Sequence, residues 1–252
     1  MARLARRLAF AALLVLVWQT VVWLRIWPPL LLPSPGAVVA SVVENVRNGS
    51  IPVAIVASMA RMLVGYGLAL AIGLCTGIAT ARFRVLQDTV GASAVGLQSL
   101  PSICWLPLAL LWFGLTEKAV IFVVVMGATF SIATAVDDGI RNVPPVLVKA
   151  GRTLGARGVT LQLRVVLPAA LPSIVTGMKL GWSFAWRALM AGELLYSEKG
   201  LGCVLMMGRN LGDMAQVVAA MSVILILGLV VTQYVFGPIE RMMAQRWGLA
   251  HR

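Results

Sequence analysis

Long apolar runs separated by short charged segments are the feature of this chain that most restricts its fold. The runs approach or exceed the roughly 20 apolar residues that a helix needs to cross a bilayer. Hydrophobic residues make up 60% of the 252 residues and charged residues 12%, whereas soluble domains have about 45–50% and about 25%. A soluble core could not absorb that excess. The sequence therefore predicts an all-α membrane protein with lipid-facing helices.

Six spans are predicted from these runs. They cover about 8–24, 52–81, 85–113, 119–136, 169–195 and 216–236. Pro101 and Pro107 interrupt the third span, which indicates a kinked or broken helix. Residues 26–50 are predicted to form an external connector with an amphipathic helix, and residues 196–215 an external loop. The whole chain, 1–252, is predicted to be one transmembrane domain with its core at about 52–240.

The distribution of basic residues gives the predicted orientation. Thirteen of the 21 Lys and Arg residues fall in segments that this layout places inside, five fall outside and three lie within spans. Because inside segments of membrane proteins carry the excess of Lys and Arg, both termini are predicted to be cytoplasmic. The formal charge of +12 is thus explained by orientation and by membrane lipid, and it calls for no nucleic acid. With three scattered cysteines and one histidine, His251, the sequence predicts no metal site.

A basic amphipathic segment lies between the fourth and fifth predicted spans. Pro144 and Pro145 are expected to start a short helix, since proline suits the first helical turn. Gly155 is expected to end that helix in a left-handed conformation. A second short helix over 159–166 and a turn of the chain at Leu167-Pro168 are expected to follow. Two functions remain open on physical grounds: a surface that docks into a groove of another protein, or a loop attracted to anionic lipid headgroups.

The spacing within this segment resembles a known motif. Gly155 is followed by nine residues, Val165, one further residue and Leu167-Pro168, which is similar to the EAA loop of membrane subunits of binding-protein-dependent ABC importers. Other stretches resemble the nitrate/sulfonate/taurine permease family within those importers. They are LQSLPSICWLPLALLWFGLTEKAVIF (Leu97–Phe122), RTLGARGVTLQLRVVLPAALPSIVTGMKLG (Arg152–Gly181), AGELL (Ala191–Leu195), KGLG (Lys199–Gly202) and RWGL (Arg246–Leu249). The chain departs from the family where Lys149-Ala150-Gly151 replaces the usual Glu-Ala-Ala.

The resemblance implies a six-helix, type I ABC importer permease with a cytoplasmic coupling elbow at about 144–168. It implies two ABC ATPase subunits, a second permease subunit in a homodimer, and an extracytoplasmic substrate-binding protein as partners. It places the chain in the bacterial inner membrane, with no catalytic residue or cofactor of its own and with ATP and Mg on the ATPase. The residues it assigns to ATPase coupling are Lys149, Ala150, Gly151, Arg152, Leu154, Gly155, Ala156, Arg157, Val165, Leu167 and Pro168.

A few polar residues fall inside the predicted spans, where a charge is costly and therefore faces protein or water. Arg187, Ser183 and Glu193 are candidates for the translocation path of a small anion such as a sulfonate, nitrate or taurine-like solute. The alternative is that Arg187 and Glu193 form a buried structural pair. Arg61 is expected to be structural, and Asp137 and Asp138 to pair with Arg141 or Arg152. Four glycines of the second span are expected to allow close helix packing: Gly65, Gly67, Gly73 and Gly77.

Two other classes of protein are alternatives to the permease. A stand-alone proton-coupled secondary transporter usually shows an internal repeat and a relay of membrane carboxylates. Here no repeat is evident, and Glu193 is the one plausible carboxylate. An intramembrane enzyme would need a nucleophile–base pair or metal ligands, which the sequence does not offer. The chain also has no GxxxxGK[ST] motif, so a separate chain must supply ATP hydrolysis.

Overall fold

The computed structural model describes residues 2–28, 30–196 and 198–246, without the side chains of residues 2–4, 7, 8, 244 and 246. Within these ranges every regular element is a helix, which confirms the predicted all-α class. His251 and most of the RWGL motif lie outside them. In order, the helices are α1 Ala2–Trp23, α2 Pro35–Arg47, α3 Ser50–Arg82, α4 Arg84–Gln98, α5 Ser102–Phe113, α6 Glu117–Arg141, α7 Pro145–Thr153, α8 Gly158–Leu195, α9 Leu201–Leu211 and α10 Met214–Met243.

Four of the described helices are long and apolar enough to cross a bilayer, namely α3, α6, α8 and α10. The pair α4 and α5 is bent by 108° and brings the number to five if it counts as one span. The break falls at Ser99–Pro101, so the predicted interruption at Pro101 is confirmed, whereas Pro107 sits in the first turn of a regular helical stretch. The apolar part of α1, Ala9–Trp23, is shorter than a full span, and the sixth crossing remains a prediction.

Two local expectations are wrong. The predicted external loop at 196–215 contains an eleven-residue helix, α9. The predicted turn at Leu167-Pro168 is absent, because both residues lie within one continuous helix of 38 residues, α8. Proline lacks the N–H for an i→i−4 bond. A π-helical turn at Gln162–Val166 precedes Leu167, and the helix continues through Leu167 and Pro168.

The chain divides into two compact units, whose boundaries fall inside α3, α8 and α10. The first unit contains the residues up to Ser58 together with Glu193–Ile226. In it, the indole N–H of Trp18 in α1 donates to the carbonyl of Pro33 before α2, at 3.1 Å. The side chain of Gln216 in α10 donates to the carbonyl of Val204 in α9, at 3.1 Å. These bonds fix the connections between consecutive helices of this unit.

The second unit contains Met59–Gly192 together with Leu227 and the residues after it. Its core is built around α6, which buries a residue at every fourth position. That stripe consists of Val120, Val124, Ala128, Ile132 and Val136. A period of four follows one face of a helix, and this face packs with apolar residues of α3, α8 and α10 in a single cluster. The single-domain prediction for 1–252 stays a prediction.

Glycines bring α3 and α8 close to α6. A Cβ atom at Gly65, Gly73 or Gly77 of α3 would lie within 3.0 Å of atoms of α6. Gly181 of α8 is equally close to Ile132. The packing role predicted for the α3 glycines is therefore confirmed at three positions. It is wrong at Gly67, where no atom of another described helix lies within 4 Å of the Cβ position.

Polar side chains tie the helices of the second unit together. Arg61 of α3 is buried and donates to the Glu117 carboxylate at 2.7 Å, so its structural role is as expected. Lys179 of α8 donates to the Glu240 carboxylate of α10 at 2.9 Å. The expected pairing of an aspartate with Arg141 is confirmed for Asp137, at 3.0 Å. Arg141 also donates to a backbone carbonyl of α3, at 3.0 Å.

Candidate functional site

The coupling elbow of residues 144–168 has the backbone that its sequence predicts up to Gly158. Helix α7 begins directly after Pro144 and ends at Thr153. Gly155 has a φ of +85°, and its N–H donates to the carbonyl of Arg152, while the N–H of Ala156 donates to that of Gly151. This pair of bonds is the Schellman motif, which closes a helix through a left-handed residue. The bend between α7 and α8 is thus fixed by hydrogen bonds.

Gly151 has a packing role that its sequence position did not suggest. A Cβ atom there would lie 2.9 Å from Cγ2 of Val165 and 3.0 Å from Cδ1 of Leu161. The residue is buried, and Leu161 is 7% exposed. Glycine weakens a helix by about 1 kcal/mol relative to alanine, but here its small size allows α7 to contact the first turns of α8. The elbow is consequently a folded corner of the protein.

The outer side of this corner combines charge with apolar groups, and we call it the elbow surface. Its exposed basic residues are Lys149, Arg152, Arg157 and Arg164. Its exposed apolar residues are Val146, Leu147, Leu154, Val159 and Leu163. Leu154 is 87% exposed, whereas leucine is among the residues that are most often buried. Of the other residues assigned to coupling, Ala150 is exposed, whereas Ala156, Val165, Leu167 and Pro168 are half-buried.

Arg187 of α8 is exposed, and no ion-pair partner for it is found among the described residues. Its guanidinium carbon lies 4.8 Å from the ring centroid of Phe184, within the range of a cation–π contact. Its Nε donates to the carbonyl of Ser183 at 3.3 Å. The Ser183 hydroxyl in turn donates to the carbonyl of Lys179 at 3.2 Å. Its proton is therefore used in a hydrogen bond within α8.

A cavity of about 380 Å³ lies at the break between α4 and α5, and Arg187 lines it. Its polar lining residues are Gln98, Ser99, Ser102 and Arg187. Its apolar walls are formed by α4, the break, α5, α6 and α8, through Leu97, Leu100, Pro101, Ile103, Met126, Gly127, Phe130, Phe184 and Ala191. Ser183 does not line it. We call this space the helix-break cavity.

One polar group of the helix-break cavity is in contact with α6. The Thr134 hydroxyl of α6 lies 2.9 Å from Oε1 of Gln98 and 2.9 Å from the carbonyl oxygen of Phe130. Its single proton bonds to one of these oxygens at a time, and the Gln98 amide carries two N–H donors and one acceptor. Gly127 keeps α6 close to its neighbours, since a Cβ there would lie 2.9 Å from Cβ of Ala188 and 3.1 Å from the Ser102 hydroxyl.

Glu193 belongs to the other unit and has a different environment. It is 1% exposed, and Ser58 donates its hydroxyl proton to the carboxylate at 2.8 Å. The N–H of Gly202, in the first turn of α9, donates to Oε2 at 3.0 Å. The N–H of Leu201 donates to the Ser58 hydroxyl at 2.9 Å. A carboxylate at the first turn of a helix satisfies N–H groups that have no partner inside the helix. This geometry favours a structural role for Glu193.

The sequence reading missed several of these residues. Ser58 has no signal in the sequence, because one serine in an apolar span makes no pattern. Gln98, Ser99 and Ser102 had a usable signal, since three polar residues flank Pro101 inside an otherwise apolar stretch. Polar groups at a proline break in a membrane helix indicate protein or water around the backbone there. Phe184, which supports Arg187, had no such signal.

Comparison with known proteins places the chain among transport proteins of the membrane. Residues 69–245 match the family model described as a binding-protein-dependent transport system inner membrane component. A putative ABC transporter permease protein of Methanocaldococcus jannaschii is 34% identical, covering 90% of this chain and 86% of that protein. A putative aliphatic sulfonates transport permease protein of Escherichia coli is 32% identical, covering 85% and 82%. These relatives are named as transport subunits rather than as enzymes.

The fold has relatives among solved structures. A chain of the MetNI methionine ABC transporter, solved in inward-facing conformations, matches with a TM-score of 0.64 at 22% identity, covering 74% of this chain and 92% of that one. At this identity the match shows the fold alone, and it confirms the type I permease fold. The resemblance read from the sequence is confirmed at the level of the family. The chain belongs to the inner membrane components of binding-protein-dependent transport systems, the permease subunits of ABC importers.

Proposed function

We propose that this permease carries a small anionic solute into the cytoplasm, driven by a pair of separate ABC ATPase subunits that hold the elbow surface. A second copy of the permease completes the path, and an extracytoplasmic binding protein delivers the solute. ATP and Mg bind to the ATPase, and both termini of the permease are cytoplasmic. ATP-driven closure of the ATPase pair moves the two elbows together and rocks the spans as rigid bodies.

The observation that carries this proposal is the elbow surface. Five exposed apolar side chains stand beside four exposed basic ones on a corner stiffened by a Schellman motif and by the Gly151 contact. Apolar groups gathered on a water-facing corner are typical of a protein–protein contact. A stiff corner also transmits a push better than a solvated loop does. A loop that only followed lipid headgroups would need the charges but not this packing.

The anionic character of the solute rests on two supports. The sulfonates permease relative is named for an anion. Among the described residues, the lining of the helix-break cavity contains Arg187 and no carboxylate. The stand-alone proton-coupled transporter is the outcome that would contradict the ATP-driven mechanism. It would appear as uptake by the purified permease in liposomes with no ATPase present.

Replacing Gly155 with leucine should reduce co-purification of the ATPase by about fivefold or more. A residue with a Cβ costs about 1–2 kcal/mol in the left-handed conformation, and Gly155 holds that conformation at the corner. Gly155→Asn is the matched control, because asparagine tolerates this conformation. Both variants should insert into the membrane equally. Quantitative pull-down in mild detergent measures the effect, and equal ATPase recovery for the two variants would contradict the elbow mechanism.

Replacing Leu154 with serine tests the contact itself. Full burial of a leucine side chain contributes about 1.5–3 kcal/mol, so the variant should bind the ATPase about tenfold or more weakly. Its stability should be unchanged, because Leu154 is already exposed. Val85→Ser is the control, since Val85 is 75% exposed next to a predicted cytoplasmic turn but outside the elbow. If the two variants bound the ATPase alike, Leu154 would not be a contact residue.

A further inference from the structure

The helix-break cavity lies beside the middle of α6. Three of its lining residues, Met126, Gly127 and Phe130, lie on α6, which runs from Glu117 to Arg141. A helix of 25 residues is roughly 37 Å long, and these three residues fall within about one turn of its midpoint. If α6 crosses the bilayer, the cavity lies near the middle of the hydrocarbon.

Arg187 is out of place at that depth unless it has water or an anion beside it. A charged side chain at the centre of a bilayer is costly and normally faces protein, water or an opposite charge. The guanidinium rests against the Phe184 ring, and no carboxylate lines the cavity around it. Arginine remains charged under all physiological conditions. An anion that enters the cavity would therefore meet an uncompensated positive charge in a weakly polar setting, where attraction is strong.

The uncharged polar groups of the cavity also favour a ligand that accepts hydrogen bonds. The Gln98 side chain lines the cavity and carries two amide N–H donors. The Ser102 hydroxyl is a further donor on the lining. Three side chains with donor groups thus line the cavity, and its described lining holds no carboxylate, which suits the oxygen atoms of a sulfonate or a carboxylate.

The apolar walls and the size of the cavity narrow the class of anion. The lining includes the large apolar side chains of Met126, Phe130 and Phe184. Binding the apolar part of a ligand against them is favourable, because it removes apolar surface from water. The volume of about 380 Å³ is also far larger than a bare inorganic oxyanion, given that one water molecule takes roughly 30 Å³. An anion with a short apolar body uses both properties of the site, whereas nitrate uses only the donors.

We propose that the helix-break cavity is a binding subsite for a small organic anion, a sulfonate or carboxylate with a short apolar body, whose charged head pairs with Arg187. The inference rests on the proposed function, because it places the solute on its way through the permease. Gln98 and Ser102 orient the charged head of the anion, and the Phe184 ring supports the Arg187 guanidinium through the cation–π contact.

The test measures the charge preference of the cavity directly. Cys75, Cys104 and Cys203 are replaced with serine, and Ser102→Cys supplies one reporter thiol. The full chain in lipid nanodiscs is treated with anionic 2-sulfonatoethyl methanethiosulfonate or with its cationic trimethylammonium counterpart, and the two rates are compared. Ser93→Cys, an exposed position on α4 outside the lining, gives the reference ratio. Ser99→Cys serves as the reporter if Ser102→Cys does not fold.

The anion-to-cation rate ratio at Ser102→Cys should exceed the reference on the order of tenfold, the effect of one nearby charge in a partly hydrated site. Adding Arg187→Gln should bring the ratio down to the reference, while Arg187→Lys should keep most of it. Ethanesulfonate should slow the reaction, but nitrate and uncharged diethyl sulfone at equal concentration should not. A ratio unchanged by Arg187→Gln, a thiol that neither reagent reaches, or equal protection by nitrate would each overturn the proposal.

A transport measurement separates this inference from the function beneath it. In the complex with its ATPase, Arg187→Gln should raise the solute concentration for half-maximal uptake more than Arg187→Lys does. If uptake needs no ATPase, the proposed function fails, yet the thiol ratio still reports on the cavity. If ATP-driven uptake is intact but insensitive to Arg187→Gln, the subsite fails and the ATP-driven function stands.

Discussion

Replacing Glu193 with alanine should lower the stability of the permease by about 3 kcal/mol or more. The substitution removes the acceptor for the Ser58 hydroxyl and for the N–H of Gly202, both buried. Hydrogen bonds to a charged group contribute about 1.5–3 kcal/mol each, and a buried donor left without an acceptor costs more than the bond alone. The first turn of α9 would also lose the negative charge at its positive end.

The expected loss of stability is large because the backbone packs tightly around this carboxylate. A Cβ atom at Gly200 would lie 2.6 Å from Oε2 of Glu193, and one at Gly202 would lie 2.5 Å from its Cβ. The two glycines of KGLG and the glutamate of AGELL therefore form one arrangement. A shorter side chain leaves a space that these glycines cannot fill.

Thermal unfolding in detergent, followed by fluorescence-detected gel filtration, measures the loss. Glu193→Gln should fall between the wild type and Glu193→Ala, since its amide oxygen can accept one of the bonds but carries no charge. Glu198→Ala is the matched control, because this glutamate is exposed nearby and a surface substitution usually stays within about 0.5 kcal/mol. Equal melting temperatures for Glu193→Ala and Glu198→Ala would show that the carboxylate does not hold α9.

The spans were predictable because one physical requirement dominates them. In hydrocarbon every backbone group needs a partner within its own segment, so a long apolar run has few options besides a helix. The same requirement made the break at Pro101 readable. It did not reveal α9, since a helix of eleven residues with two glycines is too short to read as a span.

The elbow was predictable for a different reason. Its bend depends on Gly155, whose left-handed conformation is a local property of the chain. The roles of Gly151 and Glu193 depend instead on residues distant in sequence, Val165 in one case and Ser58 in the other. The helix-break cavity likewise gathers groups from α4, α5, α6 and α8. Spacing along one helix cannot show which of its faces meets which neighbour.

The glycines of α3 show the same limit and allow a test with opposite signs. In sequence, Gly67 and Gly77 are equivalent small residues of one apolar helix. In the structure a Cβ at Gly77 would lie 2.5 Å from the backbone oxygen of Ala133 and 2.6 Å from Cβ of Val136. A Cβ at Gly67 would have no neighbouring helix within 4 Å in the part of the chain that the structure describes. A backbone oxygen cannot rotate away as a side chain can, so α3 and α6 would have to move apart.

Gly77→Ala should therefore destabilise the protein, while Gly67→Ala should be neutral or stabilising. Both substitutions gain about 1 kcal/mol of helix propensity, which makes each a control for the other. At Gly77 overpacking costs typically about 1–3 kcal/mol and opens the contact along the stripe of α6 from Val120 to Val136. The difference in melting temperature between the two variants isolates the contact from the propensity. If Gly77→Ala melted at or above Gly67→Ala, α3 would not pack on α6 through its glycines, and the core of the second unit would have to be arranged differently.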